Sequence, residues 1–283
     1  MDPALRFRDV AAGPSEPDSV QGLHTFSTRR VMKLESLLQY LEHYLSLSGY
    51  PDYPTALNGL QVEGRPEVTS IVTAVDASQA TIDEAVRRQA DLLLVHHGLF
   101  WDGLRPLTGR SYRRLKELIL NGVGLYACHL PLDAHPEVGN CALLARAIGL
   151  EPTSRIGSYK GVDLGWSGTL RDVVTPMALV ERVTAAVGGP VRLLEGGPDI
   201  VRSVGVVTGG GGSFIAEAAA AGLDAFVTGE GAHHNYFDAA EYGIHVLFAG
   251  HYATETFGVR ALGDHLAERF GLDVAFLDRP TGL

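Results

Sequence analysis

The sequence predicts an α/β protein, drawn as two related α/β lobes with a dinuclear metal cleft between them. Three observations carry that expectation. Short apolar, strand-like runs alternate with segments of helical period. The same alternation restarts near residue 151. Two H-x-x-x-acid elements, His129 to Asp133 and His251 to Glu255, each follow a strand-like run.

Taken in order, residues 33–48 (KLESLLQYLEHYLSLS) carry leucines at helical spacing. A loop rich in Pro, Tyr and Gly follows and ends in NGLQVEG. TSIVTAV is a strand, ATIDEAVRRQ a helix, DLLLV a strand, SYRRLKELILNG a helix, VGLYAC a strand and NCALLARAIG a helix. Such βαβ units imply a parallel-type sheet. Beyond residue 151, LGWSGTL, VRLLE, VRSVGVVTG, LDAFVTG, IHVLFAG and LDVAFLD are strand-like. PMALVERVTAAV, FIAEAAAAG, NYFDAAEYG and FGVRALGDHLAERFG are helix-like. Residues 1–31 have no apolar period and are expected to be a disordered extension, with Met32 just ahead of the first helix. The lobes are expected at 32–150 and 151–247, with 248–283 as a closing segment.

An internal duplication underlies the two-lobe reading. Ser70–Gly98 aligns with Ser203–Gly231 without gaps, placing Ile82 on Ile215, Glu84 on Glu217 and Asp91 on Asp224. After an offset, Tyr112–Asp133 aligns with His234–Glu255, so His129 falls on His251 and Asp133 on Glu255.

Composition narrows the function classes. The chain has 283 residues, 46% of them hydrophobic, enough for one large or two small cores. No apolar run is long enough to span a membrane. A net charge of −10 argues against a general nucleic-acid grip, which needs a basic face. Cys128 and Cys141 form no C-x-x-C pair, which excludes a thiolate zinc site and favours a reducing cytoplasm.

His96-His97-Gly98 directly follows the strand DLLLV, where a parallel sheet faces its ligand crevice. Adjacent imidazoles diverge, which suits two metal ions better than one; ordinary strand-end hydrogen bonding is the competing reading. His251 and Glu255 stand at i and i+4, so one helical face presents both, and Glu255 is the expected bridging carboxylate. Asp133 adds an oxygen ligand. His129 is expected to orient a ligand or move a proton rather than to ligate. Glu230, the duplication's counterpart of His97, is grouped with His233 and His234 as a cluster that moves protons or orients ligands, with structural hydrogen bonding as the competing reading. Arg110, Arg113 and Arg114 share a helix face and form a candidate substrate-phosphate patch, with a solvated face as the alternative. Gly209–Gly212 reads more readily as a tight turn than as a phosphate cradle. Trp101 is a candidate wall of the cleft.

HHGLFW, HLPLDAHPEVGN, TGEGAHH and AGHYATE, in that order and with NGLQVEG upstream, resemble the NGG-one-interacting-factor-three-like dinuclear metal-centre family. Many members of that family are called GTP cyclohydrolase type 2 homologues. The resemblance covers about 32–283. It implies His96, His97, Asp133, His251 and Glu255 as metal ligands, a last segment returning to the first lobe, and a toroidal homohexamer. Five ligands for two ions leave open coordination positions, which suits catalytic rather than structural sites. The expected function is therefore a metal-dependent hydrolase acting on a nucleotide or related small molecule. The alternative is a non-enzymatic metal-binding scaffold or regulator acting as an oligomeric ring. Mixed His and carboxylate ligation suits Zn, Mn, Fe, Co or Ni.

Overall fold

The computed structural model describes residues 30–283, so most of the expected N-terminal extension lies outside the described residues. The first part of the chain runs β1 (Met32–Lys33), α1 (Leu34–Tyr44), β2 (Gly59–Val62), β3 (Glu67–Val68), β4 (Ser70–Asp76), α2 (Gln79–Arg87), β5 (Leu92–His97), α3 (Gly109–Asn121), β6 (Gly124–Ala127), α4 (Leu130–Ala134) and α5 (Asn140–Ala147). The second runs β7 (Leu150–Tyr159), β8 (Val162–Val174), α6 (Pro176–Val187), β9 (Arg192–Leu194), β10 (Val201–Val206), α7 (Ile215–Ala220), β11 (Ala225–Thr228), α8 (Asn235–Tyr242) and β12 (His245–Phe248). The chain ends with α9 (His251–Thr254), α10 (Thr256–Phe270) and β13 (Asp273–Phe276).

These elements form a mixed α/β fold with two principal sheets, ordered β13-β4-β5-β6-β2 and β7-β8-β10-β11-β12-β9. β4, β5 and β6 are mutually parallel, as are β10, β11 and β12. Their runs of Val, Leu and Ile are buried because helices cover the sheet faces. Each sheet adds antiparallel pairs to the expected parallel-type arrangement: β2, β8 and β9 pair antiparallel. NGLQVEG, read as loop, supplies β2, and 150–159, given no element, forms a hairpin with β8. Neither segment has a clean period-two burial pattern, which is why both escaped. β13 returns to pair parallel with β4.

α1 turns Leu34, Leu37 and Leu41 inward at i, i+3 and i+7. They pack with Ile71, Leu92, Leu94 and the α10 residues Val259, Leu262 and Leu266. Burying one such leucine contributes about 1.5–3 kcal/mol before entropy is counted. A second core gathers under the other sheet around Leu179, Val183, Val204, Val227 and Leu247.

Both βαβαβ runs carry the same brace. Asp91 Oδ2 accepts from Thr69 N–H and Ser70 N–H, and Asp224 Oδ2 accepts from Arg202 N–H and Ser203 N–H. The ladders also share register, Ile71 opposite Leu92 and Val204 opposite Ala225. The next strand corrects the second alignment. Leu92 faces Gly124, whereas Ala225 faces His245, so Gly124 corresponds to His245 and His129 to Gly250. The two H-x-x-x-acid elements are therefore one residue out of step with the strands that carry them.

Candidate metal centre

The carboxyl ends of strands from both sheets deliver their side chains to one cluster. β5 ends in His96 and His97. The chain leaving β6 reaches His129 and then α4, whose short turn carries Asp133. The chain leaving β12 passes Gly250 (φ +89) into α9, which starts at His251. Helix does not run unbroken from His251 to Glu255: α9 stops at Thr254, and Glu255 (φ −103, ψ 4) sits at the joint before α10. The i, i+4 pair still meets, with His251 Nε2 3.2 Å from Glu255 Oε1.

Glu255 lies at the middle. Its Oε1 is 3.4 Å from His96 Nε2, and its Oε2 is 3.4 Å from His97 Nε2. Asp133 Oδ2 is 3.5 Å from His96 Nε2. Donor atoms of His96, Asp133 and Glu255 fall within 4.8 Å of one another, as do those of His97, His251 and Glu255, and those of His96, His97 and His129. All five expected ligands thus come together, and a ring nitrogen of His129 lies within 4.8 Å of those of His96 and His97.

Every imidazole is held by its other nitrogen. Nδ1 of His97 is 2.9 Å from Asp76 Oδ1, and Nδ1 of His251 is 2.9 Å from Glu230 Oε1. Nδ1 of His129 is 2.9 Å from Asp52 Oδ1, and His96 Nδ1 donates to the Cys128 carbonyl at 2.9 Å. A proton on each Nδ1 leaves the Nε2 lone pairs facing inward, the arrangement metal-ligating histidines take. Asp133 Oδ1 accepts from Asn140 Nδ2 and Thr208 Oγ1, which directs Oδ2 into the cluster.

The electrostatics match a site that takes positive charge. Burial opposes ionisation of Glu255, yet the imidazoles of His97 and His96 outweigh it and hold the carboxyl well below its ordinary range. Burial likewise opposes a charged His96, and Asp133 and Glu255 outweigh it and raise its pKa well above normal. His251 is raised to about 9, burial being overcome by the adjacent Glu255 and Glu230. Two buried atoms, His96 Nε2 and Glu255 Oε2, have no hydrogen-bond partner among the described residues. A divalent cation satisfies both, so the donor set fits a metal. Gly209 (φ +64) makes room for it: a Cβ there would lie 2.2 Å from Glu255 Oε1.

A cavity of about 790 Å³ opens over the cluster, walled by Tyr53, Trp101, Tyr159 and Phe214. Trp101 reaches the place expected of it, its ring 4.7 Å from His129 and 5.8 Å from His97. Gly210 and Gly211 form a turn along one edge of this cavity. The remaining expectations divide. Glu230 serves as the anchor of His251. His233 is exposed, its ring against Phe237, and the structure does not bring it to the cluster. Arg110 is exposed and pairs with Asp102 at 3.1 Å, Arg113 is exposed, and only Arg114 lines a cavity shared with His97. Sequence reading missed Asp52, Asp76, Asn140 and Thr208. Asp76 had a signal, a carboxylate ending the strand beside His97, whereas Asp52 in a Pro-rich loop had none.

Fold and site together define a mixed α/β protein with clustered His, Asp and Glu side chains able to hold a metal ion. The chain belongs to the Duf34/NIF3 (NGG1p interacting factor 3) family, whose model matches residues 32–281. It is 44% identical over 249 residues to a Deinococcus radiodurans protein named GTP cyclohydrolase 1 type 2 homolog, covering 88% of this chain and 94% of that one. A Salmonella typhimurium protein of the same name is 46% identical over 252 residues, covering 88% and 99%. Among solved structures, one from Thermus thermophilus superposes with a TM-score of 0.81 at 41% identity, covering 89% of this chain and 100% of that chain. No described helix is long and apolar enough to cross a membrane.

Proposed function

We propose that the cluster is a dinuclear metal cleft between two lobes, 32–150 and 151–247, and that the protein is a metal-dependent hydrolase acting on a nucleotide or related small molecule. The observation that carries the reading is the convergence of inward-facing Nε2 atoms on Glu255, with His96 Nε2 and Glu255 Oε2 otherwise unsatisfied. His96, Asp133 and Glu255 would hold one ion, and His97, His251 and Glu255 the other. Paired ions supply Lewis acidity toward substrate and water.

The chain's own side chains do the rest. Asp76, Glu230 and the Cys128 carbonyl fix the rings of His97, His251 and His96. Asp52 holds the proton on His129 Nδ1, leaving Nε2 to take a proton from the reacting water and return it to the leaving group. Trp101, Tyr53 and Tyr159 limit water above the cluster and offer faces to a planar ring. The relatives' name, GTP cyclohydrolase 1 type 2 homolog, supports a nucleotide-like substrate. The proposed setting is a homohexamer in the cytoplasm.

The test is a turnover screen on metal-loaded protein across nucleotide and phosphoester substrates. Hydrolysis abolished by Glu255→Ala, with fold retained, supports the reading. No turnover on any class, with metal present, favours the non-enzymatic scaffold.

A further inference from the structure

A second cavity, of about 350 Å³, adjoins the first. Ser78, Thr81, Arg114 and Arg279 line it, and Asp76, His97 and Trp101 line both. Arg114 Nε is buried there with no hydrogen-bond partner among the described residues. Neither Arg114 nor Arg279 makes an ion pair among the described residues, whereas the neighbouring Arg110 and Arg260 do, with Asp102 and Asp278. Burial, together with Arg110 nearby, lowers the pKa of Arg114, and Asp76 only partly opposes this. Asp76 is itself engaged by His97. Arg114, half-buried, and Arg279, exposed, line one cavity without an ion pair among the described residues, and their planar forks suit the oxygens of phosphate.

We propose that this cavity is a phosphate subsite, in which Arg114 and Arg279 hold the phosphate of a phosphomonoester whose body lies over the cluster in the larger cavity. The position follows from His97, Asp76 and Trp101, the three residues the cavities share. A phosphate at the two arginines would leave the rest of the ester beside these three residues, where the larger cavity begins. The identity of the body rests on the metal-centre reading; the phosphate site does not. Arg114 is then the only member of the Arg110, Arg113 and Arg114 face that meets substrate, and Arg279 comes from the segment following β13, far away in sequence.

Isothermal titration of the full chain, both chelator-treated and metal-loaded, tests the proposal with inorganic phosphate and with adenosine 5′-monophosphate. Saturable binding of phosphate at one site per chain is expected in both preparations, with the monophosphate binding more tightly. Arg114→Gln and Arg279→Gln should each weaken both ligands about tenfold or more, as expected for losing a charged hydrogen bond. Lys116→Gln, exposed on the same helix, should change neither, and all three variants should keep their Tm and metal content. Absence of saturable phosphate binding, or affinities unmoved by both arginine substitutions, overturns the subsite. A monophosphate that binds no more tightly than phosphate overturns the assignment to a phosphomonoester. If the wild-type chain holds no metal yet loses phosphate on Arg114→Gln, the metal reading fails while the subsite stands.

Discussion

A buried polar atom left without a partner costs about 1–3 kcal/mol. His96 Nε2 and Glu255 Oε2 are two such atoms within one shell, and the chain has placed three more imidazoles and Asp133 around them. Metal content should therefore respond to single substitutions. Elemental analysis of reconstituted wild-type protein should find close to two divalent ions per chain, and His97→Ala and Asp133→Ala should each hold fewer. Wild-type protein that takes up none from excess Zn or Mn would remove the site. The protonation state adds a pH dependence. His251 is raised to about 9, so at pH 7 it carries a proton that a metal must displace. Metal affinity should climb with pH and level off above about 9. In metal-free protein the sign reverses for stability. A raised histidine pKa stabilises fully below its ordinary value and is lost as pH rises through about 9, so metal-free Tm should fall over that interval. Flat metal affinity between pH 6 and pH 9, measured by competition with a chelator of known proton affinity, would contradict the assignment. At this scale the sequence named the side chains that the fold gathers into the cluster, because His-His and His-x-x-x-Glu each follow a strand. It did not show what orients them. Asp52 and His129 are 77 positions apart, and nothing local marks that pair.

Among the elements, strand ends and tight turns set the geometry. Gly209 sits where β10 leaves its sheet, with φ +64 and no room for a Cβ beside Glu255. Gly209→Ala should combine backbone strain with displacement of the carboxylate. The expected result is a lower Tm together with reduced metal content; an alanine variant that binds metal as wild type does would show that Glu255 is free to move. The two aspartate braces offer a second test. Asp91 accepts from Thr69, Ser70 and Arg65, and its carboxyl is held below its ordinary pKa because backbone and side-chain donors around Thr69 outweigh burial. Asp91→Ala should destabilise by about 1–3 kcal/mol, read from urea midpoints at constant slope. A change below about 0.5 kcal/mol would make the brace incidental. The equivalence of Asp91 and Asp224 was visible in the ungapped alignment of the two halves. The one-residue slip at β6 and β12 was not, because H-x-x-x-acid spacing dominated the match while ladder register depends on hydrogen bonds that sequence does not display.

Across the whole molecule, the alternation of apolar strand and amphipathic helix was enough to give the α/β class, since buried parallel strands must read as apolar runs. Edge strands such as β2 and β7 are half solvated and lack that mark, so the mixed character of the sheets stayed hidden. Surface chemistry bears on assembly. Leu104, Leu107 and Leu57 are exposed by 105%, 59% and 50% and border one apolar groove with Leu99 and Phe100. Tyr112, Ile119 and Leu120 on α3 are exposed as well. A monomer seldom leaves that much apolar surface in water, and burial against other copies would remove it. Self-association would also enclose an open metal site and keep competing ligands in bulk solvent away from it. Light scattering at micromolar concentration should give a mass near six times that of the chain, the homohexamer that the family resemblance implies. Leu104→Glu with Leu107→Glu should lower that mass while leaving metal content per chain unchanged, because neither residue belongs to the cluster. A wild-type mass equal to one chain would remove the assembly, and an unchanged mass in the double variant would move the interface away from this groove.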